Sequence, residues 1–279
     1  MSLRGTALAK LLRRLPPRLP GKQRLARALL SLAAVDRDAP CWIEARDGLR
    51  FHLPNLREPV AFELFISGVV EPETIAFLAS RIRPGTRMLD IGANLGGISL
   101  PLARQFADLC IDAIEAAPRV HGYLCENIAA NALGARLKAH QMALSDEPLA
   151  EIEFYSPQDH FGKGSLGAVF TDQGVRVPNR SLQALVSSLP TAPQLIKIDV
   201  EGYERQVLSS GESYLRDERP QIVFEFCDWA ETHAGNRPGD SQRLLLDLGY
   251  RIARITQPEV ELRVPLEQGF DMLWASPRG

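Results

Sequence analysis

The segment MLDIGANLGG, Met88 to Gly97, constrains the fold more than any other. A short apolar strand runs there into a glycine-rich turn that also carries an acid, Asp90. A strand that enters such a turn and opens a helix forms the nucleotide-binding corner of a doubly wound α/β sheet, where Gly92 and Gly96 or Gly97 let backbone approach a ligand.

The spacing Gly92-x-Asn94-x-x-Gly97 puts Asn94 where a dinucleotide loop has its middle glycine. A pyrophosphate over the helix N-terminus would also meet the Asp90 carboxylate, and like charges repel in a partly desolvated cleft. S-adenosylmethionine has no phosphate and offers a sulfonium and an ammonium group, so the acidic loop favours that donor over NAD. A second carboxylate should follow about 20 residues on, ending the next strand and holding ribose hydroxyls. Glu115 is there, after the buried-type run CIDAI, although an acid near a helix start also satisfies the helix dipole. With Glu71, which leads into the helix begun by Pro72, the expected donor residues are Asp90, Gly92, Asn94, Gly96 and Glu115.

Strand and helix patterns alternate from here. Strands are predicted at 86–91, 110–115, 136–142, 194–200 and 220–226, and helices near 96–106, 118–132, 181–188, 203–216 and 239–248. Late runs at 250–255 and 270–275 should pair antiparallel at the sheet edge. The expected architecture is α/β: a mostly parallel seven-stranded Rossmann-like sheet with an antiparallel edge strand and helices on both faces. Ahead of it, Asp47-Gly48 between two β-type runs predicts a hairpin capping the sheet. The domain reading is a basic helical extension over 1–35 and one catalytic domain over 36–279, made of a cap at 36–84 and a core at 85–279. EIEFYS, beginning at Glu151, reads as a strand, and the polar, glycine-rich stretch after it suits a loop over the cleft.

Ligands bind at the carboxyl ends of such strands. IKIDVEGYE puts Asp199 and Glu201 at the end of one strand, and VFEF puts Glu225 at the end of the next. A carboxylate can take the proton from an acceptor hydroxyl during methyl transfer; alternatively Asp199 and Glu225 hold Mg²⁺ or Ca²⁺, which acidifies and orients the hydroxyl. Glu204 is read as a helix-dipole acid. His160, a candidate base, and Lys163 lie in the glycine-rich loop, and Asn127 and Asn131 are expected to satisfy backbone locally.

Charge is uneven along the chain. Residues 1–35 carry eight Lys and Arg and no acid, which leaves −10 on the remainder and argues against nucleic acid as a partner. Two leucine-rich stripes in this arm, Leu8, Leu11, Leu12 and Leu15, then Leu25, Ala28, Leu29 and Leu32, suit an anionic membrane surface, an organelle transit peptide, or docking on the body or on an oligomer partner. No apolar run reaches the length of a spanning helix. The four cysteines show neither zinc nor disulfide spacing, and Cys110 and Cys227, in or beside predicted buried strands, read as core thiols in a reducing, cytoplasmic setting.

Five blocks in order, DIGANLGGISL, EAAP with ENIAANAL, MALSD, IKIDVEGYERQVLSSG and PQIVFEF, resemble the FkbM-type S-adenosylmethionine-dependent methyltransferases over about residues 60–230. The resemblance implies O-methylation of a hydroxyl on a sugar or secondary metabolite. It implies that Asp90, Gly92, Asn94 and Glu115 hold the donor, that Ala143 and Ser145 border the adenine, and that Asp199, Glu201 and Glu225 face the acceptor. Ala116 stands where members often have an aromatic or proline, which loosens packing on the adenosine. Two other classes stay open: a nicotinamide-dependent oxidoreductase, and a membrane-associated scaffold that keeps only the donor pocket.

Overall fold

The computed structural model describes residues 3–16, 19–157, 162, 164–168 and 171–278. Its helices are α1 (Leu3–Arg13), α2 (Lys22–Leu32), α3 (Pro59–Ser67), α4 (Pro72–Arg81), α5 (Ser99–Gln105), α6 (Pro118–Ala130), α7 (Leu182–Ser187), α8 (Glu204–Ser209), α9 (Glu212–Asp217), α10 (Asp228–His233) and α11 (Asp240–Asp247). The strands are β1 (Cys41–Glu44), β2 (Arg50–Leu53), β3 (Arg87–Ile91), β4 (Cys110–Ile114), β5 (Leu137–His140), β6 (Ala143–Leu144), β7 (Glu151–Tyr155), β8 (Gly174–Arg180), β9 (Leu195–Ile198), β10 (Gln221–Cys227), β11 (Tyr250–Arg254), β12 (Gln257–Glu261) and β13 (Phe270–Pro277).

The main sheet runs β12-β11-β13-β10-β9-β3-β4-β5, parallel from β10 to β5 and antiparallel beyond. Chain order reverses between β3 and β9, and that switch point opens a crevice at their carboxyl ends. The sheet has eight strands where seven were expected. The extra strand, β12, forms in the stretch read as a connection, and β13 lies inside the sheet between β10 and β11. Period-2 alternation divides two cores: Met88, Leu195 and Val223 face one, and Leu89, Ile196, Ile222 and Phe224 the other. The single helix expected at 203–216 is two, α8 and α9. The chain breaks at Ser210-Gly211, where Leu182 occupies the space that a side chain at Gly211 would need.

The arm packs on the body. Ala9, Leu12, Ala26 and Leu30 are buried, with α1 against α3 and α2. The apolar stripe read for α2 is the wrong face: Lys22, Ala26 and Leu30 point inward while Leu25 and Leu32 are exposed. Burial of Lys22 displaces the stripe, because its ammonium bonds the Ser67 hydroxyl (3.0 Å) and the Leu15 carbonyl (3.2 Å). Strand β8 was not foreseen either; it pairs with β7 and β6 in a small sheet of its own.

The β1–β2 hairpin forms as expected but docks on α6 rather than capping the sheet. Asn131 accepts from the Arg50 N–H (2.9 Å) and donates to the Arg50 carbonyl (2.7 Å). Asn127 accepts from the His52 N–H (2.5 Å) and donates to the Leu95 carbonyl in the glycine loop (3.0 Å). Asn131 also donates to the Asn127 carbonyl (2.7 Å), the local bond that was expected, but both asparagines chiefly serve backbone far away in sequence. Asn127→Ala orphans two buried groups, and a loss of about 2–4 kcal/mol is expected in urea unfolding with unchanged slope. A variant as stable as the parent would show that the seam contributes nothing.

Candidate active site

The same alternation that splits the core builds the site. On one face, three neighbouring strands each step from an apolar residue to a charged one: Met88 to Asp90 on β3, Leu195 to Lys197 on β9, and Val223 to Glu225 on β10. Asp90 and Lys197 are direct cross-strand partners. The Lys197 ammonium lies 3.7 Å from Asp90 and 3.3 Å from both Asp199 and the Gly92 carbonyl. Burial disfavours its charge, but Asp199, Asp90 and Glu71 more than reverse that, so its pKa lies above the usual lysine range.

A cavity of about 230 Å³ opens over this cluster. One wall is the loop after β3 and the end of β4, where the donor residues were expected. Glu115 accepts from the Asn94 N–H and the Ala117 N–H, both at 2.9 Å, and burial pushes its carboxyl up to about 7. Asn94 holds φ 51°, a left-handed geometry that asparagine tolerates better than most side chains. At Gly92, φ is 79° and an added Cβ would fall 1.8 Å from the Asp199 carbonyl, so the β3 and β9 loops interlock only through glycine. Ala93, Gly97, Ala116 and Ala143 also line the cavity.

Asp199, Glu201, Tyr203 and Glu225 form the opposite wall. Glu201 has φ 54°, backbone strain at the turn that follows β9. Burial, then Asp199, Glu204 and Glu201, raise the Glu225 carboxyl well above its ordinary range. Glu204 is buried and accepts from the Val200 N–H (2.9 Å) and the Gly202 N–H (3.4 Å), so it braces this turn, and burial pushes it up to about 8.

Three expected donor residues stand off the cavity wall. Asp90 is fully buried behind it, accepting from the Ser99 hydroxyl and facing Lys197, so it bears on the cavity through its charge rather than by contact. Gly96 makes room for Leu100 and Leu124. Ser145 turns its hydroxyl to Asn179 (3.0 Å) and ties β6 to β8. His160 and Lys163 lie outside the described residues; Gly162, Gly164 and Leu166 of the same loop line the cavity. Glu71 lines it at the start of α4. Sequence reasoning missed Lys197, although a lone cation inside Leu195-Ile196-Lys197-Ile198 is the signal of a buried ion pair.

A ribose hydroxyl is bound best by an ionised Glu115. S-adenosylhomocysteine titration is therefore expected to tighten by up to about tenfold between about pH 6 and about pH 8, and Glu115→Gln to flatten the profile. A flat profile in the parent protein would remove Glu115 from that role.

Comparison with known proteins places this geometry. A segment of 124 residues, 42% of the chain, is 28% identical to the 23S rRNA (uracil(1939)-C(5))-methyltransferase RlmD of Acidithiobacillus ferrooxidans and spans 27% of that enzyme's length. Among solved structures, a methyltransferase FkbM from Methylobacillus flagellatus KT aligns over 98% of this chain and 59% of its own at 16% identity, with a TM-score of 0.47. The precorrin-6y C5,15-methyltransferase of Geobacter metallireducens GS-15 aligns over 75% of this chain and 93% of its own at 13% identity, with a TM-score of 0.44. Residues 90–252, which hold the glycine loop, Glu115, Lys197, Asp199 and Glu225, match the methyltransferase FkbM domain, and the chain belongs to that family of S-adenosylmethionine-dependent methyltransferases.

Proposed function

We propose that the protein is an O-methyltransferase acting on a hydroxyl of a small acceptor, a sugar, glycan or secondary metabolite, with Glu225 as the general base. One observation carries this reading: the Glu225 carboxyl lines the cavity with no hydrogen bond or ion pair among the described residues, and burial and three acidic neighbours raise its proton affinity, an effect that Lys197 only partly offsets. A base is most effective when its pKa approaches the working pH, and a hydroxyl acceptor is the kind that must lose a proton.

The residues present fit S-adenosylmethionine. The wall is rich in carboxylates, which suits a cationic donor, and Glu115 is fixed by two backbone N–H groups with lone pairs left for ribose hydroxyls. Bound there, the donor supplies an electrophilic methyl group on a positively charged sulfur. Family membership displaces the nicotinamide alternative. Lys197 pairs with Asp90 and Asp199 and orients both, which supports Asp199 as the acid that aligns the donor or acceptor, while Glu225 accepts the acceptor's proton.

A metal-assisted form of the reaction rests on one observation: Asp199, Glu204 and Glu225 each offer an oxygen, all within 4.8 Å of one another. Glu204 is already committed to two backbone N–H groups and Asp199 to Lys197, which favours the ion-free route.

The test is a screen of hydroxylated glycans and metabolites for S-adenosylhomocysteine release, with EDTA and with Mg²⁺. Glu225→Gln is expected to lower turnover about 10²- to 10⁴-fold with donor affinity unchanged, and Asp199→Asn by about 10²-fold. Turnover insensitive to Glu225→Gln sinks the base assignment; activity lost in EDTA and restored by Mg²⁺ replaces it with the metal route.

A further inference from the structure

We propose that the outward face of the N-terminal arm docks on an anionic lipid bilayer and holds the mouth of the site against the headgroup layer. Docking stands independently of the chemistry; the consequence for the acceptor rests on the methyltransferase reading.

Packing on the body consumes only one side of the arm. Leu32 is 83% exposed, Leu11 56%, Leu25 46% and Leu19 39%. Leu25 and Leu32 are two turns apart, so they lie on one line along α2, with exposed Ala28 beside them. Arg24 is exposed one turn from Ala28 on this helix, while Arg27 turns to the body and stacks over the Phe62 ring. Apolar side chains beside a cation, on a helix without a carboxylate, form the surface of an interfacial helix. Charge complementarity selects the occupant: the exposed Lys10, Arg14 and Arg24 of an arm without acids are drawn to anionic lipid while the −10 of the remaining chain is repelled, which orients the molecule as well as holding it.

The arm also borders the site. A groove of about 900 Å³ has Leu19, Arg24 and Arg27 on one side, where the arginines offset Glu63 and Glu73, and the other side carries Val60, Val70 and Glu71. The last three line the donor cavity as well. An arm seated on a bilayer therefore brings the cavity mouth to the headgroups, and the acceptor class this favours is a hydroxyl carried on an anionic lipid or lipid-linked glycan.

Flotation of the full chain tests this with vesicles of two parts phosphatidylcholine to one part phosphatidylglycerol, against phosphatidylcholine alone. Partitioning to the anionic vesicles is expected to be at least about tenfold stronger and to fall with added salt. The double variant Leu25→Ser, Leu32→Ser should lose at least about tenfold, with S-adenosylhomocysteine affinity unchanged as proof of folding. Equal partitioning to both vesicles, no partitioning, or a double variant that floats like the parent overturns docking. So does a dimer in light scattering that the double variant dissolves, which would assign the face to a second copy. Vesicle binding without turnover on any hydroxyl would overturn the proposed activity and leave docking standing.

Discussion

A single buried ammonium holds the site together. Lys197 is 3% exposed and stands between Asp90 on the adjacent strand and Asp199 at the end of its own. Removing one partner from such a set leaves an uncompensated charge in a medium that solvates it poorly, so the three are interdependent. Much else follows from their placement. The Lys197–Gly92 contact and the close approach of Gly92 to the Asp199 carbonyl fasten the two loops that flank the switch point. The remaining acids, Glu115 and Glu225, can then sit across one cavity at a separation set by the sheet rather than by flexible loops.

This explains why the site is acidic and yet stable. Each strand on that face contributes an apolar residue to the core before its charged one, and the charges gather only where the sheet ends and the helices begin. The buried acids outside the lysine's ion pairs are handled differently: Glu115 and Glu204 each bind two backbone N–H groups, and their raised proton affinities record what burial costs them. Glu225 has no such hydrogen bond among the described residues, and Lys197 only partly offsets its acidic neighbours. Such a residue is a poor structural element and a good proton acceptor.

The parallel core was legible because buried parallel strands read as apolar runs and the glycine loop marks their order. Glu115 and Glu225 were legible because they end such runs. Asp90 was read in the right strand with the wrong aim: spacing places a residue in sequence, but only the pleat decides whether it faces ligand or core, and here it faces Lys197. Ser145 failed similarly, since its partner Asn179 lies on a strand, β8, too polar to show as one. On α2, two stripes of similar apolar content compete, and a buried lysine bonded to Ser67 decided between them. No local pattern announces a tertiary hydrogen bond.

The asparagine seam has a consequence for how the chain assembles. Strand β2 is made early in synthesis, yet the side chains that satisfy it lie 81 and 75 residues later, on α6. Loop closure over that distance is entropically costly until α6 is itself anchored on the sheet. The order of translation and the order of docking are therefore opposed. The hairpin emerges well before the helix that seats it, and in the interval its apolar side chains are a surface that a nascent-chain chaperone would meet.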